Sequence, residues 1–366
     1  NSESKLMKII QKYILKELFV PCILCVVILN FIFLAGYLVK AADLIIGRGI
    51  PLSETLMILL LAMPPMVSYT VPLSLLTGTL IVFGGFSQYN ELRAMKAAGV
   101  HPFRFMLPAM VIGLLTTMVM FVFNDHVTTG ARYELRKSMK KMAVRHPMAL
   151  IEPGRFAQLT DSIIFFAKEV KDGELRDVVA HEGVDSENPV RTVIAERGKI
   201  ISDQKAGTIE IHLYDGSISE NEKGALHSVQ FKTFKFPTFG KENLALVDKK
   251  KKEFPLAELF LRVAEDDLNP KDRLQYWITI HERIAFSLSA FLFVFVGIPI
   301  AVIVRRGEAV VSFAIAMVFA FLFYILFAIA HALAAKGVLP PYVSMWLPNL
   351  LLVTIGLFAV RKAILV

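Results

Sequence analysis

Residues 284–304 read IAFSLSAFLFVFVGIPIAVIV, 21 residues without a charged side chain, closed by Arg283 at one end and Arg305 at the other. A helix of that length covers roughly 30 Å, the thickness of the hydrocarbon core of a bilayer. Working outward, five further apolar stretches reach comparable length, at about 19–39, 56–84, 105–123, 310–333 and 343–360. The second carries Pro64, Pro65 and Pro72. It is expected to begin as an interfacial or kinked helix, because proline removes backbone hydrogen bonds.

The chain has 366 residues, 55% of them hydrophobic and yet 20% charged. Both figures hold only if charge is segregated, and residues 131–270 contain 46 of the 72 Asp, Glu, Lys and Arg. This excludes a single soluble domain, a disordered chain and a helical bundle without extramembrane mass. A polytopic α-helical membrane protein with six spans and one inserted hydrophilic domain remains. Three parts follow: residues 1–125 with spans one to three, an insert at 126–275 with flanking helices, and 276–366 with spans four to six.

The short flanks of the spans set the orientation. Lys5, Lys8, Lys12, Lys16, Arg93, Lys96, Arg104, Arg305, Arg306, Arg361 and Lys362 fall on one side, against Lys40, Arg48 and Lys336 on the other. By the positive-inside rule both termini are cytoplasmic and the 124–280 segment is translocated. The net charge of +8 therefore reads as topology rather than as a nucleic-acid surface. Lys-rich residues 5–16 lead into a full-length span with no small-residue cleavage pattern, so no cleavable signal peptide is evident.

Within the insert, Ile163–Phe166, Val190–Ile194, Thr208–Leu213 and Val229–Phe236 are short β-branched or alternating runs. Gly173, Gly183, Asn188-Pro189, Gly207, Gly216 and Gly224 punctuate them at strand-plus-turn spacing. An all-β sandwich or roll is expected, entered by a helix over 131–142 and left by an acidic helix over 254–268.

Signatures of catalysis are missing. No G-x-x-x-x-G-K-[ST] phosphate loop and no G-x-S-x-G occur. His281-Glu282 opens like a zinc-protease helix, but position 285 is Ala, so it reads as an interfacial polar contact. His126 and His146 have no partners at metal spacing, and Cys22 and Cys25 read as small residues of a membrane helix. The run Lys249–Lys252 reads as a solvated turn.

One cytoplasmic loop stands out. Gln88–Val100, QYNELRAMKAAGV, has helix formers across 91–98, Asn90 where a cap belongs, Gly99 where a helix stops and Pro102 shortly after. This predicts a short helix at about 87–99 clamped between two spans. It is either an amphipathic connector resting on headgroups or a coupling helix, a lever docked in a cytosolic motor. Glu91 suits a basic residue on such a partner.

With these motifs in order, the sequence resembles the LptF/LptG family, the transmembrane subunits of the lipopolysaccharide-export ABC transporter of Gram-negative bacteria. The resemblance runs through the whole chain: six spans, the large insert after span three, NELRAMKAAG at 90–99, Gly297-Ile298-Pro299 with Arg305-Arg306-Gly307, and Trp346-Leu347-Pro348-Asn349. Glu91 matches the family's coupling-helix glutamate, while Asn90 departs from a frequent serine. Leu38–Pro51 leans towards the F type and leaves the G type open.

The resemblance implies a β-jellyroll-like periplasmic insert and a multi-pass protein of the inner membrane. It implies a second LptF/LptG-type permease as heterodimer partner, a cytoplasmic ATPase dimer that binds ATP and Mg, and no cofactor or catalysis in this chain. A single-span LptC-type protein and a jellyroll bridge protein complete the set. Glu91, Arg93, Met95 and Gly99 would couple to the ATPase. Lipopolysaccharide needs cations at the membrane boundary above an apolar wall, and Lys40, Arg48, Arg273, His281 and Arg283 are the candidates. Two alternatives remain on residues alone: a permease of another ABC exporter for lipoprotein or peptide, and a non-transport anchor that binds an envelope partner.

Overall fold

Among the residues that the computed structural model describes (2–47, 49–145, 154–160, 163–171, 174–182, 191–203, 208–222, 225–236, 249–265, 267–305 and 307–365), six helical segments are long and apolar enough to cross a membrane. The helices are α1 (Ser2–Ala42), α2 (Leu52–Gln88), α3 (Glu91–Ala97), α4 (Pro102–Val122), α5 (Thr129–Arg145), α6 (Leu256–Val263), α7 (Pro270–Val304), α8 (Ala309–Ala335), the short α9 (Pro341–Ser344) and α10 (Leu347–Leu365). The strands are β1 (Phe156–Thr160), β2 (Ile163–Lys171), β3 (Glu174–Glu182), β4 (Arg191–Asp203), β5 (Thr208–Glu222) and β6 (Ala225–Lys235). The chain divides into two units, one of residues 1–36, 61–133 and 249–366, the other of 37–60 and 134–248.

In the first unit α7 is the central helix, packed against α4, α8 and α10. Ala285, Ala290, Phe293, Val294, Val296 and Ile298 of α7 are buried, and Gly113 and Gly356 lie against its side chains. Helix α2 runs without a break through Pro64, Pro65 and Pro72. Hydroxyls on the helix bond back to its own carbonyls: Ser68 to Pro64, Ser74 to Thr70, Thr77 to Leu73 and Thr79 to Leu75. In an apolar medium such bonds keep polar groups satisfied within the helix. Cys22 and Cys25 are free thiols on α1.

In the second unit six antiparallel strands form one sheet in the order β1 to β6, each beside its sequence neighbour. The all-β expectation for the insert holds. Among the described residues the order is a plain meander, without the crossover of a closed two-sheet jellyroll. Phe165, Ala167, Leu175, Val178, Ala180, Val193, Ala195, Ile211 and Leu213 cover one face as its core. Strands β1 and β3 escaped the sequence reading, and β3 did so because Glu174, Arg176 and Asp177 mask its alternation. Gly216 is described, whereas the turns at Gly173, Gly183, Asn188-Pro189, Gly207 and Gly224 lie outside the described residues.

A single row interrupts the ladders. The pairings of β2 to β6 skip Lys168, Asp177, Glu196, Asp215 and Lys232, which stand opposite one another across five strands. Asp177 and Asp215 have left-handed backbone, with φ of 48° and 54°, a conformation that short polar side chains tolerate. The inward set changes phase at this row: Ala167 is followed by Val170, and Leu175 by Val178. The row acts like a bulge shared by all five strands, re-aiming side chains so that one face stays apolar along the sheet.

The flanking helices are as expected in kind but not in extent. The helix over 131–142 is α5, and the acidic helix over 254–268 shortens to α6. In the second unit Ile50 and Met142 are buried together, and Arg145 Nη1 lies 2.7 Å from Glu54 Oε1.

Candidate functional site

The loop helix is built as its sequence implies, with one exception. Leu92 is 4% exposed and anchors α3 in the bundle core, and Met95 packs against that core. Gly99, at φ +80°, ends the helix in a Schellman arrangement: its amide donates to Lys96 O, and the Val100 amide donates to Met95 O. Asn90 occupies the cap position with left-handed backbone, and its side chain makes no cap hydrogen bond. It accepts from Arg93 Nη1 at 3.2 Å instead. Arg93, Ala94, Ala97 and Ala98 form the exposed face, while Glu91 is half-buried.

Below α3 the bundle closes tightly. Ser87 Oγ, at the end of α2, donates to Val302 O of α7 at 3.1 Å. Gly307 N, just past α7, donates to Gln88 Oε1 at 2.8 Å. A Cβ on Gly307 would collide with the backbone of Gly85. Leu92, Phe105, Met106, Pro299, Val302 and Val360 enclose a cavity of about 40 Å³ there. The end of α2, just before α3, is thus bonded to the end of the central helix.

The other half of α7 lines a second, larger cavity of about 340 Å³. One wall is aromatic: Phe286 lies 5.1 Å from Tyr69 and 5.6 Å from Phe327, ring centre to ring centre. Tyr324 Oη donates to Tyr69 O at 2.9 Å. The polar wall holds Arg132, Lys252, Glu282, Arg283 and His331. Glu282 Oε1 accepts from Lys252 Nζ at 2.9 Å, and its Oε2 lies 3.2 Å from His331 Nδ1. His331 and Tyr324 are two of only three polar residues on α8, the third being Ser312. A polar residue in such a helix marks a functional contact by default.

Behind that wall sits a buried network. Asn124 accepts from Ser68 Oγ at 2.6 Å and donates to Ser287 Oγ at 3.1 Å. Residues Phe123–Thr128 form a π-helical turn at the end of α4, a local widening that re-aims side chains. Asp125 Oδ1 accepts from Arg283 Nη1 at 2.5 Å and from Leu256 N at 2.7 Å. Arg283 Nη1 also donates to Phe254 O at 2.9 Å. Asp125 and Arg283 are each 8% exposed. Removing one partner of such a pair costs about 3–5 kcal/mol, because the other charge is left buried and alone.

The lysine run is a solvated turn, as its sequence implies, with Lys249, Lys250 and Lys252 exposed, and it is also ion-paired. Lys249, Lys251 and Lys252 pair with Glu258, Asp272 and Glu282 at 3.7, 2.6 and 2.9 Å. Glu253 caps the Lys250 amide at 2.9 Å. This is a staple on α6 and α7, and its acidic partners, 9 to 30 positions downstream, are invisible to a local reading.

Glu91, Arg93, Met95 and Gly99 come together on α3 and its cap, with Met95 turned to the core and Arg93 outward. Lys40 is exposed near the end of α1, 5.6 Å from the Tyr37 ring centre. Arg48 lies outside the described residues. The three candidates on α7 do not converge. Arg273 Nη2 donates to Glu265 O at 2.8 Å, His281 Nδ1 lies 3.4 Å from Trp346 Nε1, and Arg283 alone lines the cavity. Asp125, Asn124, Arg132, Lys252, Tyr324 and His331 were missed by the sequence reading, although lone polar residues in apolar runs were a usable signal for Tyr324 and His331.

Among the described residues no group of His, Cys, Asp and Glu is arranged to hold a metal. A short loop helix between two spans, a central helix that lines a cavity of mixed polarity, and an inserted β domain define a multi-pass permease-type membrane protein. The family model of the lipopolysaccharide export system permease LptF/LptG matches residues 12–362, and the chain belongs to that family. It is 22% identical over 358 residues to the lipopolysaccharide export system permease protein LptF of Escherichia coli strain K12, covering 95% of this chain and 93% of the relative. The same figures hold for the LptF proteins of Escherichia coli O157:H7 and Shigella flexneri. The chain is a transport subunit of the membrane.

Proposed function

We propose that this permease withdraws lipopolysaccharide from the inner membrane and delivers it through its β domain to a periplasmic bridge, driven by a cytoplasmic ATPase dimer that carries the ATP and Mg. A second LptF/LptG-type permease completes the membrane part, and an LptC-type single-span protein joins it. The F type is favoured, since the relatives above carry that name. In this reading the termini are cytoplasmic and the β domain is periplasmic, as the flanking cations require.

The observation that carries the reading is the continuity of α7. Val302, bonded to Ser87 beside the lever, and Arg283, at the cavity, lie on one helix, about 28 Å apart at 1.5 Å per residue. A displacement of α3 that carries the end of α2 with it is therefore passed along one continuous helix to the cavity. The cavity's aromatic wall suits acyl chains, and Arg132 suits the phosphates of the head group.

The test is ATP-driven release of lipopolysaccharide from proteoliposomes holding the purified complex, with recovery of the ATPase measured alongside. Wild type is expected to bring the ATPase down and release lipopolysaccharide, and Glu91→Lys to lose both. Release of a lipoprotein or peptide in place of lipopolysaccharide would support the other exporter. An ATPase that never co-purifies would support the anchor.

A further inference from the structure

The Arg283 guanidinium reaches two stretches of chain far apart in sequence. On one side it holds Asp125, in the π-helical turn from which the chain passes into α5 and the β unit. On the other it donates to Phe254 O at 2.9 Å, with Lys252 O at 3.5 Å, in the segment by which the chain returns. Asp125 closes the circuit by accepting from Leu256 N at 2.7 Å, the first residue of α6. Outgoing strand, returning strand and α7 thus meet at one ion pair.

The neighbouring groups reinforce that joint. The lysine staple fixes the returning strand to α6 and α7 through Glu258, Asp272 and Glu282. Ser287 and Asn124 bind the outgoing strand to α7 one turn below. Apolar helix contacts can slide past one another, whereas charge-assisted bonds are directional and hold one position. The guanidinium's charge is also matched by the Asp125 carboxylate, which weakens its pull on a free phosphate.

We propose that Asp125 and Arg283 are a positioning pair, a clasp that makes both chain crossings into the β unit move with α7, so that cargo passes from the membrane cavity to the β domain. This rests on the export reading above and adds to it a place where membrane movement is handed to the insert. It assigns Arg283 to transmission and not to cargo recognition.

The experiment places photoreactive residues at Ala328, in the cavity wall, and at Ile218, which packs against the sheet core, in the whole purified complex in proteoliposomes with lipopolysaccharide and ATP. Asp125→Asn is expected to keep the lipopolysaccharide adduct at 328 and the ATPase rate within about twofold of wild type, and both Asp125→Asn and Arg283→Gln to cut the adduct at 218 about tenfold or more. The exchange Asp125→Arg with Arg283→Asp should recover part of it. If single variants fail to fold, Asp125→Asn with Arg283→Met leaves no buried unpaired charge. That double variant should regain folded yield and still fail at 218. Wild-type transfer in the double variant would overturn the clasp. So would loss of the adduct at 328 in Arg283→Gln with none in Asp125→Asn, the result expected of a head-group contact. Absence of adducts at both positions in wild type would instead overturn the export reading, and this role with it.

Discussion

The hydroxyl of Tyr13, on α1, donates to Glu91 Oε2, on α3, at 3.3 Å, and the Tyr13 ring lies 5.5 Å from that of Phe86 on α2. The residue proposed to meet the motor is therefore already in contact with the first membrane helix. An exposed hydrogen bond of this kind contributes only about 0.5–1.5 kcal/mol, so its value lies in orientation. Tyr13→Phe keeps the ring and removes the bond. It should leave folded yield unchanged and lower ATP-driven lipopolysaccharide release by about fivefold, the equivalent of about 1 kcal/mol. Release at the wild-type rate would show that Glu91 needs no support from α1.

Glu91 itself gives a graded series. The helix it begins has seven residues, so few side chains can face a partner. Glu91→Ala should weaken recovery of the ATPase, and Glu91→Lys should abolish it by setting like charges together. A connector resting on anionic headgroups would tolerate or favour the lysine. Quantitative co-purification of the ATPase separates the two.

Lys40 ends an apolar run and is exposed. A photoreactive residue at position 40 is expected to trap lipopolysaccharide in intact membranes. Adducts with protein alone, under conditions where position 328 traps lipid, would remove Lys40 from the cargo path.

Topology can be read by thiol labelling in a Cys22→Ala, Cys25→Ala background. Ser228 is exposed on β6, so Ser228→Cys should react with an impermeant maleimide once the outer membrane is opened. Arg361→Cys should react only after the inner membrane is broken. The reverse order would invert the orientation drawn from the flanking cations.

Helices α1 and α2 approach closely at Gly78. A Cβ on Gly78 would overlap the Cys22 sulfur and lie 3.2 Å from the Cys22 backbone nitrogen. Gly78→Ala should therefore destabilise the protein by about 1–3 kcal/mol, the usual cost of overpacking. Adding Cys22→Ala should restore part of the loss, leaving the share due to backbone. Thermal unfolding of the purified variants measures both.

The amino-acid sequence by itself determined the six spans, the charged insert, its β character and the short loop helix at 91–97. Each of these depends on residues close together in the chain: twenty apolar side chains must find an apolar medium, and Gly99 can end a helix whatever lies around it. The division of labour among the cations was decided only by tertiary structure. Arg273, His281 and Arg283 look alike in sequence, yet Arg283 alone is buried against Asp125, 158 positions away. The lysine run is the exposed turn its sequence implies, but only folding brought the carboxylates of α6 and α7 to it, and Asn90 looked like a cap until its backbone turned left-handed. A charged group's role is set by the partners and solvent around it, and folding brings those partners from far along the chain.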